Sequence, residues 1–270
     1  MVNLKIRRMK FIFFLVGCFL CCAMSVSAQQ DTVFNQKNAK GQKIGWWKKT
    51  YEDSTIQYIA FFENDKPVGV VKRYSKNGKI KSILNYVPNS NIVDAQLFNA
   101  DGILLAKGKY ENSKKVGEWI TFYSDGEIMY VDNYKNNLKE GKSNGYYKNG
   151  AVMFKYQYAN GCRVGVALQY YSNGTLMEEL TYNQVGKPVG PYRAYYDNNA
   201  KRIVGLYVNG DKEGEWITFN QGGTIFSKVF YKNGYPTITD DMVKKETEML
   251  NSFRKMKGQL QEPTESDFLR

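Results

Sequence analysis

Two glutamates, Glu118 and Glu215, are the side chains in this sequence whose type best suits catalysis, because paired carboxylates can act as general acid and general base. The chain contains no histidine, which excludes Ser-His-Asp and Cys-His catalysis and histidine metal sites. Both glutamates occupy the same place in two copies of a repeat, whereas a catalytic pair is normally unique. We therefore interpret them as solvated strand residues and expect no catalytic residue. A carbohydrate-active enzyme that uses these carboxylates is the remote alternative.

The other reactive side chains lack the neighbours that chemistry requires. Cys162 lies in a connecting turn, 160–163, with no base beside it in the sequence to form a thiolate. The run Gly141-Lys142-Ser143 matches the end of a phosphate-binding loop, but the earlier glycine of that motif is absent. We interpret both as parts of the repeat, and the sequence predicts no cofactor and no metal site.

Eight segments with a period of 24 residues make up most of the chain. They start at Gly45, Gly69, Val93, Gly117, Gly141, Gly165, Gly190 and Gly214, with one extra residue before Gly190. We call each segment a copy and number its positions by the residues that follow the first. Position 17 is aromatic in every copy: Phe62, Tyr86, Tyr110, Tyr134, Tyr158, Tyr182, Tyr207 and Tyr231. Such periods are typical of stacked units that bury surface against their neighbours.

Turn signals predict that each copy is a β-hairpin. Asn-Gly, Asp-Gly or Gly-Gly pairs, such as Asn77-Gly78, recur at one place, and such pairs favour two-residue turns with positive φ at both central positions. A less uniform segment, such as 64–69, joins one copy to the next. The second strand of each copy carries apolar residues on one face. We therefore predict an all-β fold, an elongated antiparallel meander of about eight hairpins over residues 41–236, in which rings of neighbouring copies stack.

Four bulky aromatic residues share position 2: Trp47, Trp119, Tyr192 and Trp216. One interpretation is that these rings fill the aromatic layer. The other is that they form an exposed platform for a peptide or a sugar, with gaps above the small residues of the remaining copies. If any face of the array binds a partner, we expect it to be this one.

Residues 1–28 have the pattern of a secretory signal peptide. Basic residues precede an apolar run, Phe11–Ala23, and the small residues Val26 and Ala28 mark a cleavage site. We expect export to the periplasm, the outer envelope or the outside of a bacterial cell. An uncleaved anchor, a start at Met9 and a lipidated Cys18 are the alternatives. Cleavage leaves a lead-in at 29–40 and a single cysteine, so no internal disulfide is expected.

Beyond the array, the sequence predicts a helix over residues 237–261, followed by a loose tail at 262–270. Asp240 can cap this helix, and its apolar side chains fall toward one side. We expect the helix to cover the last strand of the sheet. The alternative is that it binds a partner.

Net charge limits the classes of partner. The formal charge is +12, and removal of four cationic residues with the leader lowers it to +8. The excess favours acidic partners or anionic surfaces. Because the lysines are spread over every copy rather than gathered in one stripe, we expect no nucleic acid as partner. Contact with a membrane is expected only through a lipid on Cys18 or through an anionic surface.

The array resembles the bacterial variant of the MORN repeat, found in proteins described as YwqK-family antitoxins. The resemblance rests on Tyr110, on the run Lys114–Trp119 and on Tyr123–Gly126, and Gly214–Phe219 repeats Gly117–Phe122 letter for letter. It extends from about Gly41 to Tyr235. It implies a non-enzymatic scaffold that binds a protein or a cell-envelope component. An antitoxin-like neutraliser of a toxin is the alternative implied by the family, although the export signal departs from a cytoplasmic role.

Overall fold

The computed structural model describes residues 32–237 and 240–256. One compact unit, which starts at Phe34, contains all the elements below. The signal peptide predicted at 1–28, Cys18, the alternative start at Met9 and the tail predicted at 262–270 lie outside the described residues.

A single antiparallel sheet contains all the described strands, and each strand pairs with the strands that precede and follow it in the chain. The predicted all-β meander of hairpin repeats with a C-terminal helix is therefore confirmed. The elements are β1 Gln36–Lys37, β2 Lys43–Thr50, β3 Ile56–Glu63, β4 Lys66–Tyr74, β5 Ile80–Tyr86, β6 Ile92–Phe98, β7 Leu104–Glu111, β8 Lys114–Phe122, β9 Ile128–Lys135, β10 Leu138–Tyr146, β11 Val152–Ala159, β12 Cys162–Tyr170, β13 Leu176–Tyr182, β14 Pro188–Tyr195, β15 Lys201–Val208, β16 Asp211–Phe219, β17 Ile225–Lys232, β18 Tyr235–Pro236 and α1 Asp240–Met256.

The two kinds of turn are the reverse of what the sequence predicted. Most turns that join copies have two residues with positive φ, as at Asn64 (50°) and Asp65 (65°), and the exceptions are the turns at Asn89 and Gly186. Within copies, only the glycine of the Asn-Gly pair has positive φ, 76° at Gly78, and its amide donates a hydrogen bond to the Ser75 carbonyl at 3.0 Å. That geometry is a type I turn followed by a left-handed glycine. The prediction of two-residue turns at Asn77-Gly78 and its equivalents was therefore wrong, because a longer connection separates the strands there.

The glycine that starts a copy forms a β-bulge. Ile59 pairs with Lys72 and Phe61 with Val68, so Gly69 and Val70 are extra residues in β4, and Gly69 has a φ of 68°. The β5–β6 pair, where Val93 replaces this glycine, has no register shift. A β-branched residue strongly resists positive φ. In that copy the two extra residues lie in the preceding turn instead. Six residues separate the paired Tyr86 and Val93 in this turn, whereas four separate the paired Phe62 and Pro67 in the turn of the copy before it.

A central row of side chains holds one face of the sheet together. It is formed by positions 2 and 15, which pair across each hairpin, as Trp47 does with Ala60 and Val71 with Leu84. Large and small residues alternate along it, so that a ring covers a glycine on the next strand. The residues buried in this row are Ala60, Val71, Ala95, Trp119, Asp132, Ser143, Ala167, Leu180 and Trp216.

A second row of contacts, at position 6, ties neighbouring copies together. The hydroxyl of Tyr147 donates a hydrogen bond to the Tyr170 carbonyl of the next copy at 2.8 Å. The same bond, at 2.8–2.9 Å, is made by Tyr51, Tyr123, Tyr171 and Tyr196. Because each bond spans a full repeat, it couples two copies beyond the backbone ladder.

The C-terminal helix α1 leaves its described apolar side chains open to solvent. Met249, Leu250 and Phe253 are 54%, 50% and 54% exposed. These side chains therefore do not cover the last long strand, contrary to the role expected for the helix. One end of β17 is instead covered by β18, and the Thr237 amide donates a hydrogen bond to the Phe230 carbonyl at 2.7 Å. Among the described residues, no helix has the length and apolar character required to cross a membrane.

Candidate binding surface

Three copies place a lysine ammonium over aromatic rings through the same short pattern, Lys-x-Gly-x-Trp. Lys115 Nζ lies 4.3 Å from the ring centroid of Trp119 and 5.1 Å from that of Tyr134. The corresponding distances are 4.3 Å and 4.9 Å from Lys212 to Trp216 and Tyr231, and 4.8 Å and 4.9 Å from Lys43 to Trp47 and Phe62. All are within the range of cation–π attraction. We call these three arrangements the Lys–Trp sites.

The bulge glycine makes this approach possible. Four residues along a flat strand span about 13 Å, which separates the Lys115 backbone widely from that of Trp119. Gly117 lies between them with a φ of 63°, and the bulge that it forms bends the strand. Gly214, with a φ of 67°, lies at an equivalent bulge, and Gly45 has the same backbone conformation, with a φ of 66°. The glycine that defines the repeat therefore also builds the site.

The indoles are fixed by hydrogen bonds to the backbone of the sheet. Trp119 Nε1 donates to the Lys109 carbonyl at 3.0 Å, and Trp216 Nε1 donates to the Leu206 carbonyl at 3.3 Å. Trp119 and Trp216 are only 2% and 6% exposed, while Trp47 is half-buried. The two buried rings thus lie in the aromatic layer, and the group that the surface presents above them is the lysine.

Tyr192, the fourth residue predicted at position 2, packs directly against Trp216. Their rings stack with centroids 5.2 Å apart, and the Tyr192 hydroxyl is 3.2 Å from Glu178 Oε2. Burial, helped by the nearby Glu178 carboxylate, raises the pKa of Tyr192 to about 12. Tyr192 therefore keeps its proton at neutral pH, and its hydroxyl donates a hydrogen bond to Glu178 Oε2.

The aromatic rings at position 17 adjoin the Lys–Trp sites, as Phe62, Tyr134 and Tyr231 do. All eight rings are half-buried. Tyr110 meets Trp119 edge to face at 4.9 Å, and Tyr207 meets Trp216 in the same way at 5.0 Å. Burial raises the pKa of Tyr110, Tyr134 and Tyr207. At Phe62, Tyr110, Tyr207 and Tyr231 the column predicted as structural does contact rings of the central row, while each ring of the column keeps part of its surface in solvent.

Lys139 and Arg163 occupy the position of the site lysines in copies that lack a tryptophan. Lys139 Nζ lies 2.8 Å from Asp132 Oδ1, which also accepts a hydrogen bond from Ser143 Oγ at 2.6 Å. The guanidinium of Arg163 lies 3.8 Å from the ring centroid of Tyr156 and donates to the Tyr182 hydroxyl. These two cations therefore have acceptors within the protein.

The lysines of two Lys–Trp sites have no such acceptor. In the described part of the chain, neither Lys115 nor Lys212 has a hydrogen-bond acceptor or a carboxylate within bonding distance of its ammonium group. Lys43 has only a long contact of 3.5 Å with the Tyr58 hydroxyl. Each is half-buried. The surface thus presents cations whose N–H donors are free for a ligand.

A small depression surrounds the last of these sites. Its volume is about 180 Å³, which is below the range of typical small-molecule pockets. It is lined by Tyr192, Ile203, Tyr207, Lys212, Trp216, Thr218, Val229 and Tyr231. Its dimensions fit one side chain of a partner rather than an enclosed substrate.

The residues considered for catalysis are not brought together. Glu118 is exposed, and Glu215 forms an exposed ion pair with Lys228 at 3.0 Å. Cys162 is an exposed free thiol at the start of β12. Ser143 is 1% exposed and bonded to Asp132. Among the described residues, no three side chains of the metal-binding types lie close enough to hold an ion.

Fold and surface together define the class of the protein: a β-hairpin repeat array with one ring-lined, cationic face. The MORN repeat variant family matches four of its segments, residues 67–87, 115–136, 163–184 and 212–233. The matched segments are alternate copies, and two of them begin at a site lysine, Lys115 and Lys212. Four segments of the chain are thus similar to the MORN repeat variant.

Other comparisons add little. No curated protein matches the chain in sequence. Among solved structures, one that matches is the crystal structure of the GtfA/B complex bound to UDP and GlcNAc, at 15% identity, over 50% of this chain and 25% of that chain, with a TM-score of 0.20. This chain spans about a quarter of that relative's length. A likeness at this level carries no argument about function.

Proposed function

We propose that this protein is an exported, non-enzymatic β-repeat scaffold that binds another protein or a cell-envelope component on its ring-lined face. The observation that carries the proposal is the pair of half-buried lysines, Lys115 and Lys212, whose ammonium groups lie over indoles with no acceptor in the described chain. An ammonium group held over an indole keeps its three N–H donors available to a ligand. Its repetition in three copies favours a role in binding.

The scaffold role is supported by the architecture. Repeats similar to the MORN variant recur along one sheet, and arrays of this kind present extended surfaces to their partners. The side chains that could do chemistry are dispersed: Glu118 is exposed on its strand, and Ser143 is buried and bonded. A surface of this composition binds by contact and charge.

Export is supported by the basic and apolar leader before Gln29. Mass spectrometry of the protein purified from its own cells tests this part. The expected result is a mature N-terminus at Gln29 in the envelope or medium fraction. A full-length N-terminus in the cytoplasmic fraction would contradict it, and a lipid-modified Cys18 would replace it with an anchored form.

Binding is tested by capture from an envelope extract with immobilised residues 29–270. The triple variant Lys43→Met, Lys115→Met, Lys212→Met removes the three ammonium groups and keeps an apolar stem on each ring. We expect components retained by the natural chain to be absent from the variant. Equal recovery by both proteins would show that the ring-lined face is not the binding surface.

A further inference from the structure

We infer that the three Lys–Trp sites bind carboxylate side chains of an acidic polypeptide segment. The inference rests on the proposed function, since it names the chemistry of the partner that the same face would bind. The sites are Lys43 with Trp47, Lys115 with Trp119, and Lys212 with Trp216.

Another copy of the array shows which group pairs with a cation at the position of the site lysines. Lys139 occupies the same position as Lys115, and there the fold supplies the Asp132 carboxylate at 2.8 Å. Asp132 is 8% exposed, so the carboxylate of this pair is buried against the sheet while Lys139 is only half-buried. On the strand that precedes Lys115 and Lys212, a glycine, Gly108 or Gly205, stands at the repeat position that Asp132 occupies for Lys139, and no carboxylate lies within bonding distance of either ammonium group among the described residues. The indole attracts the ammonium by its face but accepts none of its three N–H bonds strongly. The group that could pair with the ammonium at these sites, and that the protein does not supply, is therefore a carboxylate.

The exposure of the rings argues against a neutral sugar. Stacking of a sugar requires an open aromatic face, but Trp119 and Trp216 are 2% and 6% exposed, and each carries a lysine 4.3 Å from its centroid. What a ligand can reach at these sites is the ammonium and the edges of the tyrosines. Charge rather than stacking therefore determines the chemistry of the ligand.

A polypeptide fits the depth and spacing of the sites. Each ammonium group lies within 5.1 Å of two ring centroids, so a carboxylate on a flexible stem reaches it more easily than one fixed directly to a sugar ring. The sites lie three and four copies apart, which corresponds to about 29 Å and about 38 Å at two strands per copy. An extended polypeptide covers these distances with about nine and about eleven residues. A segment with acidic residues at such intervals can occupy two sites together and gain from both.

The inference is tested by calorimetry with poly-L-glutamate of 20 or more residues as the probe and residues 29–270 as the protein. The triple variant Lys43→Met, Lys115→Met, Lys212→Met should bind at least about tenfold more weakly. A matched control, Lys66→Met, Lys114→Met, Lys232→Met, removes three exposed lysines that make no ring or ion-pair contact with any described residue, and it changes the net charge equally. The affinity of this control for poly-L-glutamate should be within about twofold of the affinity of the natural chain. Replacing the three site lysines by arginine should preserve binding.

Each contrary outcome has a definite meaning. Equal weakening in both triple variants would overturn the inference, because the attraction would then depend on net charge alone. Binding of polygalacturonate as tightly as poly-L-glutamate, with the same loss in the site variant, would overturn the polypeptide as the source of the carboxylate. No binding of poly-L-glutamate, combined with envelope capture that the site variant loses, would overturn the inference and leave the proposed function standing. Unchanged circular dichroism and melting temperature in every variant show that the fold is intact.

Discussion

The indole of Trp119 lies directly over Gly108 on the neighbouring strand β7, where an added Cβ atom would stand 2.3 Å from Trp119 Cδ2. Trp216 covers Gly205 in the same way, also at 2.3 Å. These two tryptophans are therefore seated in a space that only glycine provides. The base of a Lys–Trp site thus depends on residues from two strands.

Alanine at Gly108 is predicted to destabilise the fold by about 1–3 kcal/mol, because the ring above it must move. The backbone of Gly108 has an ordinary φ, so the effect is steric. Gly222→Ala is the matched control, since its Cβ would meet nothing within 4 Å and its φ is also ordinary. It should change stability by no more than about 0.5 kcal/mol. The stability of both variants is measured by urea denaturation. Equal denaturation midpoints for Gly108→Ala and Gly222→Ala would show that Trp119 does not pack closely against Gly108.

Removing the ring should reveal the coupling between the two residues. Trp119→Ala is predicted to cost about 3–5 kcal/mol, because the indole is 2% exposed and leaves a cavity. In the double variant with Gly108→Ala, the added methyl group no longer clashes, so the two costs should not add. Strictly additive costs in urea denaturation would contradict the contact.

The bulge glycine supports both the fold and the surface. Gly117→Ala is predicted to cost about 1–2 kcal/mol, because Gly117 has a φ of 63° where a side chain is strained. The Cβ itself would meet nothing within 4 Å, so the cost is conformational. Lys115 should then lose its contact with Trp119, and the fluorescence of the indole should change. An unaltered spectrum together with an unaltered denaturation midpoint would refute the role of the bulge.

The tyrosine row at position 6 should contribute to cooperativity between copies. Tyr147→Phe removes a hydrogen bond of 2.8 Å to the Tyr170 carbonyl and is predicted to cost about 0.5–1.5 kcal/mol. Tyr231→Phe is the control, since no hydrogen bond of its hydroxyl is found within the described residues. The free energy of unfolding of the control, measured by thermal or urea denaturation, should lie within about 0.5 kcal/mol of that of the natural chain. A cost as large as that of Tyr147→Phe would contradict the assignment.

The sequence predicted the parts of this fold that depend on period and alternation. An aromatic residue at position 17 in every copy, together with Asn-Gly pairs, is sufficient to predict a hairpin array. The contact between Trp119 and Gly108 could not be predicted in this way, because it depends on the register between two strands. The kind of turn could not be predicted either, since the Asn-Gly pair occurs in both kinds, at Asn77-Gly78 and at Asn160-Gly161.

The sequence contains a pattern at the Lys–Trp sites, but this pattern could be interpreted only with the structure. Lys-x-Gly-x-Trp occurs in three copies, at Lys43, Lys115 and Lys212. In a flat strand the lysine and the tryptophan would be too far apart to form a site. Only the bulge at the intervening glycine brings the two side chains together, and its register is visible in the strand pairing alone.

Alkaline pH should weaken the fold through Tyr192. Its pKa is raised to about 12, first by burial and then by the Glu178 carboxylate, from an ordinary value near 10. Between about pH 10 and pH 12 the unfolded chain loses this proton while the folded chain keeps it, so stability is complete below pH 10 and falls as the pH rises to 12. Tyr192→Phe should therefore flatten the decline of the melting temperature over this range. The difference in tyrosinate absorbance between the natural chain and the variant gives the same titration directly. A midpoint near pH 10 in that difference would show that Tyr192 is solvated and free of Glu178.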